Sequence, residues 1–238
     1  MNAPSKSVLI VDDDRDICSN LNDILTDLGY VTEVAHDGES ALNYVAEQPF
    51  DIALLDYKMP GMNGTDLYKE LKRLQPELLA IMITAHAGSG GVQEALEAGT
   101  WRVLRKPVDV SQLLPLIESG SKQPLVLLVD DDVDFCDSLW QVLRDSDYRV
   151  CIAHSEEEGL KRIQQRNFDI ALVDFRLGQG DGCNLIQSIV EKDSEVRACL
   201  ITGHRDETPQ CSLHDQVEVF FKPLDVSQVL EVIATPEI

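Results

Sequence analysis

Short apolar runs rich in Val, Ile and Leu alternate along this chain with longer stretches whose apolar residues recur every three or four positions. The first pattern predicts strands and the second amphipathic helices. In the first half the runs place strands near 7–11, 31–35, 51–55, 79–83 and 101–105. Strands this continuously apolar are expected of a parallel sheet covered on both faces. Between the first two strands, Ile17, Leu21, Ile24, Leu25 and Leu28 share one helical face, and Gly29 follows as a C-terminal stop.

The pattern then starts again. Val8 to Asp14 reads VLIVDDD and Val126 to Asp132 reads VLLVDDD, an offset of 118. Phe50 to Asp56, FDIALLD, returns at the same offset as FDIALVD from Phe168 to Asp174, and Ile83 to His86, ITAH, returns as ITGH from Ile201 to His204. The pair Lys106-Pro107 returns as Lys222-Pro223, two residues closer. A period far above the ~20–50 residues of solenoid repeats signals duplicated domains. The breaker-rich stretch Gly120 to Pro124 marks the junction, giving domains over 1–120 and 121–238. Each half is expected to form an α/β, doubly wound (βα)5 domain of flavodoxin-like type, with a five-stranded parallel sheet in the order 2-1-3-4-5.

Composition narrows the partners. Asp and Glu number 42 against 20 Lys and Arg, a net charge of -22 spread over both halves. Such a chain repels nucleic-acid backbones and anionic lipid, so neither nucleic acid nor a membrane is expected as partner. No apolar run approaches the ~18 residues of a membrane span, and the six cysteines form no CxxC pair. A cytoplasmic location is expected. Cys18 and Cys136, at matching places in helix patterns, read as small buried thiols, and Trp101 and Trp140 as core or partner-face aromatics.

Chemistry gathers where strands end. Asp12, Asp13, Asp56, Thr84 and Lys106 each fall at the carboxyl end of a predicted strand, the rim at which open α/β sheets bind ligands. Their counterparts are Asp130, Asp131, Asp174, Thr202 and Lys222. Clustered carboxylates repel one another unless a cation joins them, and Mg²⁺, a hard ion favouring oxygen ligands, suits the set. Asp56 is then available as a nucleophile able to form an acyl phosphate. Lys106 would neutralise the phosphoryl charge and Thr84 would hydrogen-bond one of its oxygens. Asp14 and Asp132 read as helix caps. His86 and His204 fall two residues past the threonines, at the pocket's edge or simply on the surface.

The acidic pair, the segment from Asp56 to Gly64, the Thr and the Lys-Pro pair together resemble the response-regulator receiver family over nearly the whole of each half. This resemblance implies phosphorylation of Asp56 and Asp174 from a phosphohistidine on a histidine kinase or histidine phosphotransfer protein. It implies one Mg²⁺ per domain, held by Asp12, Asp13, Asp56 and the Lys58 carbonyl, and by Asp130, Asp131, Asp174 and the Arg176 carbonyl. It also implies cis Lys-Pro peptides and a phosphoacceptor with self-phosphotransfer and autodephosphorylation, not an enzyme with a separate substrate. Output would run through protein contact, with homodimerisation open and no DNA-binding domain expected after Ile233.

Departures from that family pattern are specific. Receivers commonly carry Tyr or Phe three residues before the lysine, where this chain has Val103 and Val219. In the second half LGQGDG, from Leu177 to Gly182, replaces MPGMNG, which predicts a freer loop, and Asp206 to Gln216 predicts a short or irregular fourth helix. Other readings are a receiver-like scaffold without phosphorylation, a receiver fragment of a hybrid histidine kinase, or a haloacid-dehalogenase-like phosphatase. The last needs a second Asp two residues after the nucleophile, and Lys58 and Arg176 stand there.

Overall fold

The structure is a computed structural model and describes residues 6–85, 89–178, 180–203 and 217–234. It divides into two compact units, 1–123 and 124–238. In the first, strands β1 (Ser7–Val11), β2 (Val31–Ala35), β3 (Ile52–Asp56), β4 (Leu79–Thr84) and β5 (Arg102–Arg105) form a parallel sheet in the order β2-β1-β3-β4-β5. The helices are α1 (Arg15–Asp27), α2 (Gly38–Glu47), α3 (Gly64–Leu74), α4 (Ser89–Glu97) and α5 (Val110–Ser121), so the last helix runs into the breaker-rich stretch.

The second unit contains β6 (Leu125–Val129), α6 (Val133–Asp145), β7 (Arg149–Ala153), α7 (Glu156–Gln165), β8 (Ile170–Asp174), a short hairpin of β9 (Arg176–Leu177) and β10 (Gly180–Asp181), α8 (Gly182–Lys192), β11 (Arg197–Thr202), β12 (Glu218–Phe221) and α9 (Val226–Ala234). Its main sheet runs β7-β6-β8-β11-β12, all parallel, which is the same 2-1-3-4-5 winding. Asp206–Gln216, where an irregular fourth helix was expected, lies outside the described residues, as do His86 and His204.

Side-chain alternation along each strand builds two cores per sheet. Leu9 and Val11 of β1 pack with Ala41 and Val45 of α2 and Leu67 and Leu71 of α3. Val8 and Ile10 face the other way, onto Cys18, Leu21 and Leu25 of α1 and Leu113 and Ile117 of α5. The second unit does the same with α7 and α8 on one face and α6 and α9 on the other. The central strand β3 is buried at every position, and the edge strand β5 only partly, as covered and edge strands should be. Leu28 departs from its expected face and is 54% exposed. It is the C-cap of α1, beyond the last helical residue, and Gly29 then takes a positive φ of 89° to reverse the chain.

The helix that follows each acceptor strand begins unusually close to it. A Cβ on Gly64 would lie 2.3 Å from the Asp56 carbonyl oxygen, and one on Gly182 only 2.1 Å from that of Asp174. Gly64 and Gly182 donate their own N–H groups to the carbonyls of Tyr57 and Phe175 at 3.0 and 3.1 Å. The approach needed for these bonds leaves no room for a methyl group. Gly64→Ala and Gly182→Ala are each expected to lower unfolding free energy by about 2 kcal/mol, the usual cost of overpacking against backbone, measured by urea denaturation. An unchanged midpoint would contradict so tight an approach.

Candidate functional site

Chain direction delivers the functional groups to one rim. Asp12 directly follows β1, Asp56 ends β3, Thr84 ends β4 and Lys106 directly follows β5. Backbone bonds fix their register: Asp12 N–H donates to Ala35 O at 3.2 Å, Tyr57 N–H to Ile83 O at 2.8 Å, and Lys106 N–H to Thr84 O at 2.8 Å. The second unit repeats these bonds through Asp130, Phe175 and Lys222. Asp12, Asp13, Asp56, Lys58, Thr84 and Lys106 line one open depression.

At its centre the Lys106 ammonium lies 2.7 Å from Asp12 Oδ2 and 2.8 Å from Asp56 Oδ1. Lys222 likewise lies 2.6 Å from Asp130 Oδ2 and 3.0 Å from Asp174 Oδ1. The other oxygens are held by backbone. Asp56 Oδ2 accepts from the Lys58 N–H at 3.1 Å, Asp174 Oδ2 from Arg176 at 2.9 Å, and Asp12 and Asp130 accept from Asp14 and Asp132, each at 3.0 Å. Asp12, Asp56, Asp130 and Asp174 are buried, whereas Asp13 and Asp131 are exposed. In each unit one oxygen from each of the three carboxylates lies within 4.8 Å of the others. Three hard oxygen donors so grouped fit a divalent cation such as Mg²⁺. Both Lys-Pro peptides, 106–107 and 222–223, are cis.

Charge bookkeeping here is two buried carboxylates to one ammonium. Burial raises the Asp56 pKa above its ordinary value, Lys106 opposes the rise and the Asp12 charge adds to it. Asp174 follows the same pattern with Lys222 and Asp130. Burial works against the charge on Lys106, yet Asp12 and Asp56 together hold its pKa above that of a free lysine.

Several contacts escape the strand-end pattern. The Asp12 carbonyl meets the Cys18 thiol at 3.3 Å and His36 Nδ1 at 3.3 Å, and the Asp130 carbonyl meets Cys136 and His154 at 3.4 and 3.0 Å. A carbonyl only accepts, so Nδ1 carries the proton in both histidines. Burial pushes the thiols up to about 11 for Cys18 and about 12 for Cys136, which keeps them protonated donors. His36 and His154 are related by the same 118 offset as the acidic pairs, which marks them in the sequence as matched positions.

Beside the acceptor, Tyr57 Oη donates to Glu94 Oε2 of α4 at 2.7 Å, and the Thr65 hydroxyl lies 3.0 Å from Glu94 Oε1. Phe175, the counterpart of Tyr57, has no hydroxyl for such a link. Asp14 and Asp132 cap α1 and α6 as expected. The described residues of LGQGDG are tied down: β9 pairs with β10, Gly178 takes a positive φ of 61°, and Glu156 accepts from the Asp181 N–H at 2.9 Å.

A pH dependence follows from these charges. Because Asp56 binds its proton more tightly in the folded protein than in the unfolded chain, its contribution to stability is full below the ordinary carboxylate pKa. That contribution is lost as pH rises through the raised folded value. At neutral pH without divalent cation, ionised Asp56 is therefore a net cost, and Asp56→Asn is expected to raise the melting temperature at about pH 7. The gain should vanish near pH 3, where both states are protonated. Calorimetry showing an unchanged or lower melting temperature at neutral pH would contradict the charge balance described.

Comparison with known proteins agrees with this geometry. The profile of the response regulator receiver domain matches residues 8–118 and again 126–234. A response regulator receiver protein of Anaeromyxobacter sp. (strain Fw109-5) is 32% identical over 225 residues, 94% of this chain and 92% of that protein. Sporulation initiation phosphotransferase F of Bacillus subtilis is 34% identical over 109 residues, covering 46% of this chain and 88% of that protein. The transcriptional regulatory protein ZraR of Escherichia coli K12 is 37% identical over 113 residues, 48% of this chain; the match spans 26% of that relative's length. With the winding, the rim and the profile each found twice, the chain belongs to the response regulator receiver domain family and carries two such domains in tandem.

Proposed function

We propose that each domain accepts a phosphoryl group on one carboxylate, Asp56 in the first and Asp174 in the second, from a phosphohistidine of a histidine kinase or phosphotransfer protein. The observation that carries this reading is the lysine ammonium set between a strand-end aspartate and an acidic-pair aspartate, in both domains. A carboxylate oxygen of Asp56 attacks phosphorus, an O–P bond forms and the histidine N–P bond breaks. The nitrogen keeps the electron pair and the released imidazole takes up a proton from water. Lys106 lies where it can follow charge from the carboxylate to the phosphoryl oxygens, and buried Thr84 offers a hydroxyl beside it.

Mg²⁺ would be held by Asp12, Asp13, Asp56 and the Lys58 carbonyl, and by Asp130, Asp131, Asp174 and the Arg176 carbonyl. It would screen the negative charge that builds as phosphoryl donor and carboxylate approach. The high acidity of the chain supports output through protein contact over nucleic acid. Similarity of one half to a protein named a phosphotransferase supports a place in a relay, and a cytoplasmic setting suits such a donor. Among the described residues no helix is long and apolar enough to cross a membrane.

Acetyl phosphate with Mg²⁺ is expected to label the full chain at two sites. Asp56→Asn and Asp174→Asn should each remove one site, the double variant should take no label, and EDTA should suppress labelling of the wild type at least tenfold. Intact-mass spectrometry reads all five samples. Full labelling of the double variant would discard the acceptor assignment.

A further inference from the structure

We propose that Phe135 is a positioning residue for Lys222, so that the second domain tunes phosphoryl acceptance at Asp174 through an aromatic ring where the first domain has Ile17; this rests on the phosphoacceptor reading. The Lys222 ammonium lies 4.4 Å from the centroid of the Phe135 ring while it also meets Asp130 and Asp174. Phe135 is itself held in two ways. Asp132 caps α6 and accepts from the Phe135 N–H at 3.0 Å, which fixes the residue in the first helical turn, and the side chain packs half-buried against the core between α6 and the sheet.

A lysine is a compact charge on four rotatable carbons, and two carboxylates alone leave it freedom to swing between them. The negative face of an aromatic ring adds a third attraction from another direction and shields that side of the ammonium from water. Lys222 is thereby held where the phosphoryl oxygens must arrive, and small displacements of such a group are costly in rate. At the 118 offset the first domain has Ile17, half-buried and without a π face, so Lys106 is held by Asp12 and Asp56. Otherwise matched sites thus differ in how firmly the lysine is placed.

The test uses the full chain in an Asp56→Asn background, so that all label from acetyl phosphate and Mg²⁺ is at Asp174. Phe135→Leu is expected to slow labelling about fivefold, the size of one partly buried cation–π contact. Phe135→Tyr and Phe135→Trp should stay within about twofold, because they keep the ring face. In proton NMR the Lys222 side-chain methylene signals should be shifted upfield by the ring and return to ordinary positions in Phe135→Leu alone. Labelling of Phe135→Leu at the parent rate, or equal slowing in Phe135→Tyr, would overturn the proposal, the second by showing that keeping the ring face does not keep the rate. Label that survives in the Asp56→Asn, Asp174→Asn double variant would overturn the acceptor reading instead, so the two failures are distinct.

Discussion

Everything at the rim follows from one imbalance: two carboxylates buried at adjacent strand ends share a single ammonium. Burying an unpaired charge is prohibitive, and removing one partner of a buried pair costs about 3–5 kcal/mol in general. Lys106 and Lys222 supply the partner, yet each faces two acids, and a third aspartate stands exposed beside them. The site therefore stays short of positive charge in the metal-free protein. That deficit makes the acceptor costly to ionise, and a divalent cation or a charge-redistributing phosphoryl transfer relieves it. Removing an acid restores balance, whereas removing the lysine leaves two like charges facing each other.

The fold serves this arrangement through distances that allow little slack. The lysine is carried to the carboxylates by a backbone bond to the threonine of the neighbouring strand, and the acceptor strand is pressed against the helix after it by a glycine that tolerates no side chain. Around that shared frame the two domains diverge. The first links its acceptor loop to α4 through Tyr57 and Glu94, while the second closes its loop with a hairpin and sets its lysine against an aromatic ring. Duplication has kept the charge geometry and changed what surrounds it.

Much of this was legible in the residues. Alternating apolar runs gave both sheets, because parallel strands buried on two faces have nowhere to place polar side chains. The 118 offset gave the tandem organisation and aligned the acidic pairs, acceptors and threonines, since chemistry at strand ends tolerates no shift in register. What stayed hidden depends on contacts between distant elements. Leu28 fits the helical period but falls past the helix end; Glu94 carries no mark that it faces Tyr57. His36 and His154 look like ordinary residues after a strand until the carbonyls they touch are placed. The GQGDG composition speaks for freedom, yet its described residues are tied by the pairing of β9 with β10 and by the bond of Asp181 to Glu156.

Borohydride reduction after phosphorylation tests the central claim most directly, because hydride converts an aspartyl phosphate to homoserine and marks the residue itself. Peptide sequencing of the wild-type protein treated with acetyl phosphate, Mg²⁺ and then borohydride should find homoserine at positions 56 and 174. Homoserine at position 12, 13, 130 or 131, or at none, would contradict the account that a bridged lysine selects the strand-end carboxylate as acceptor.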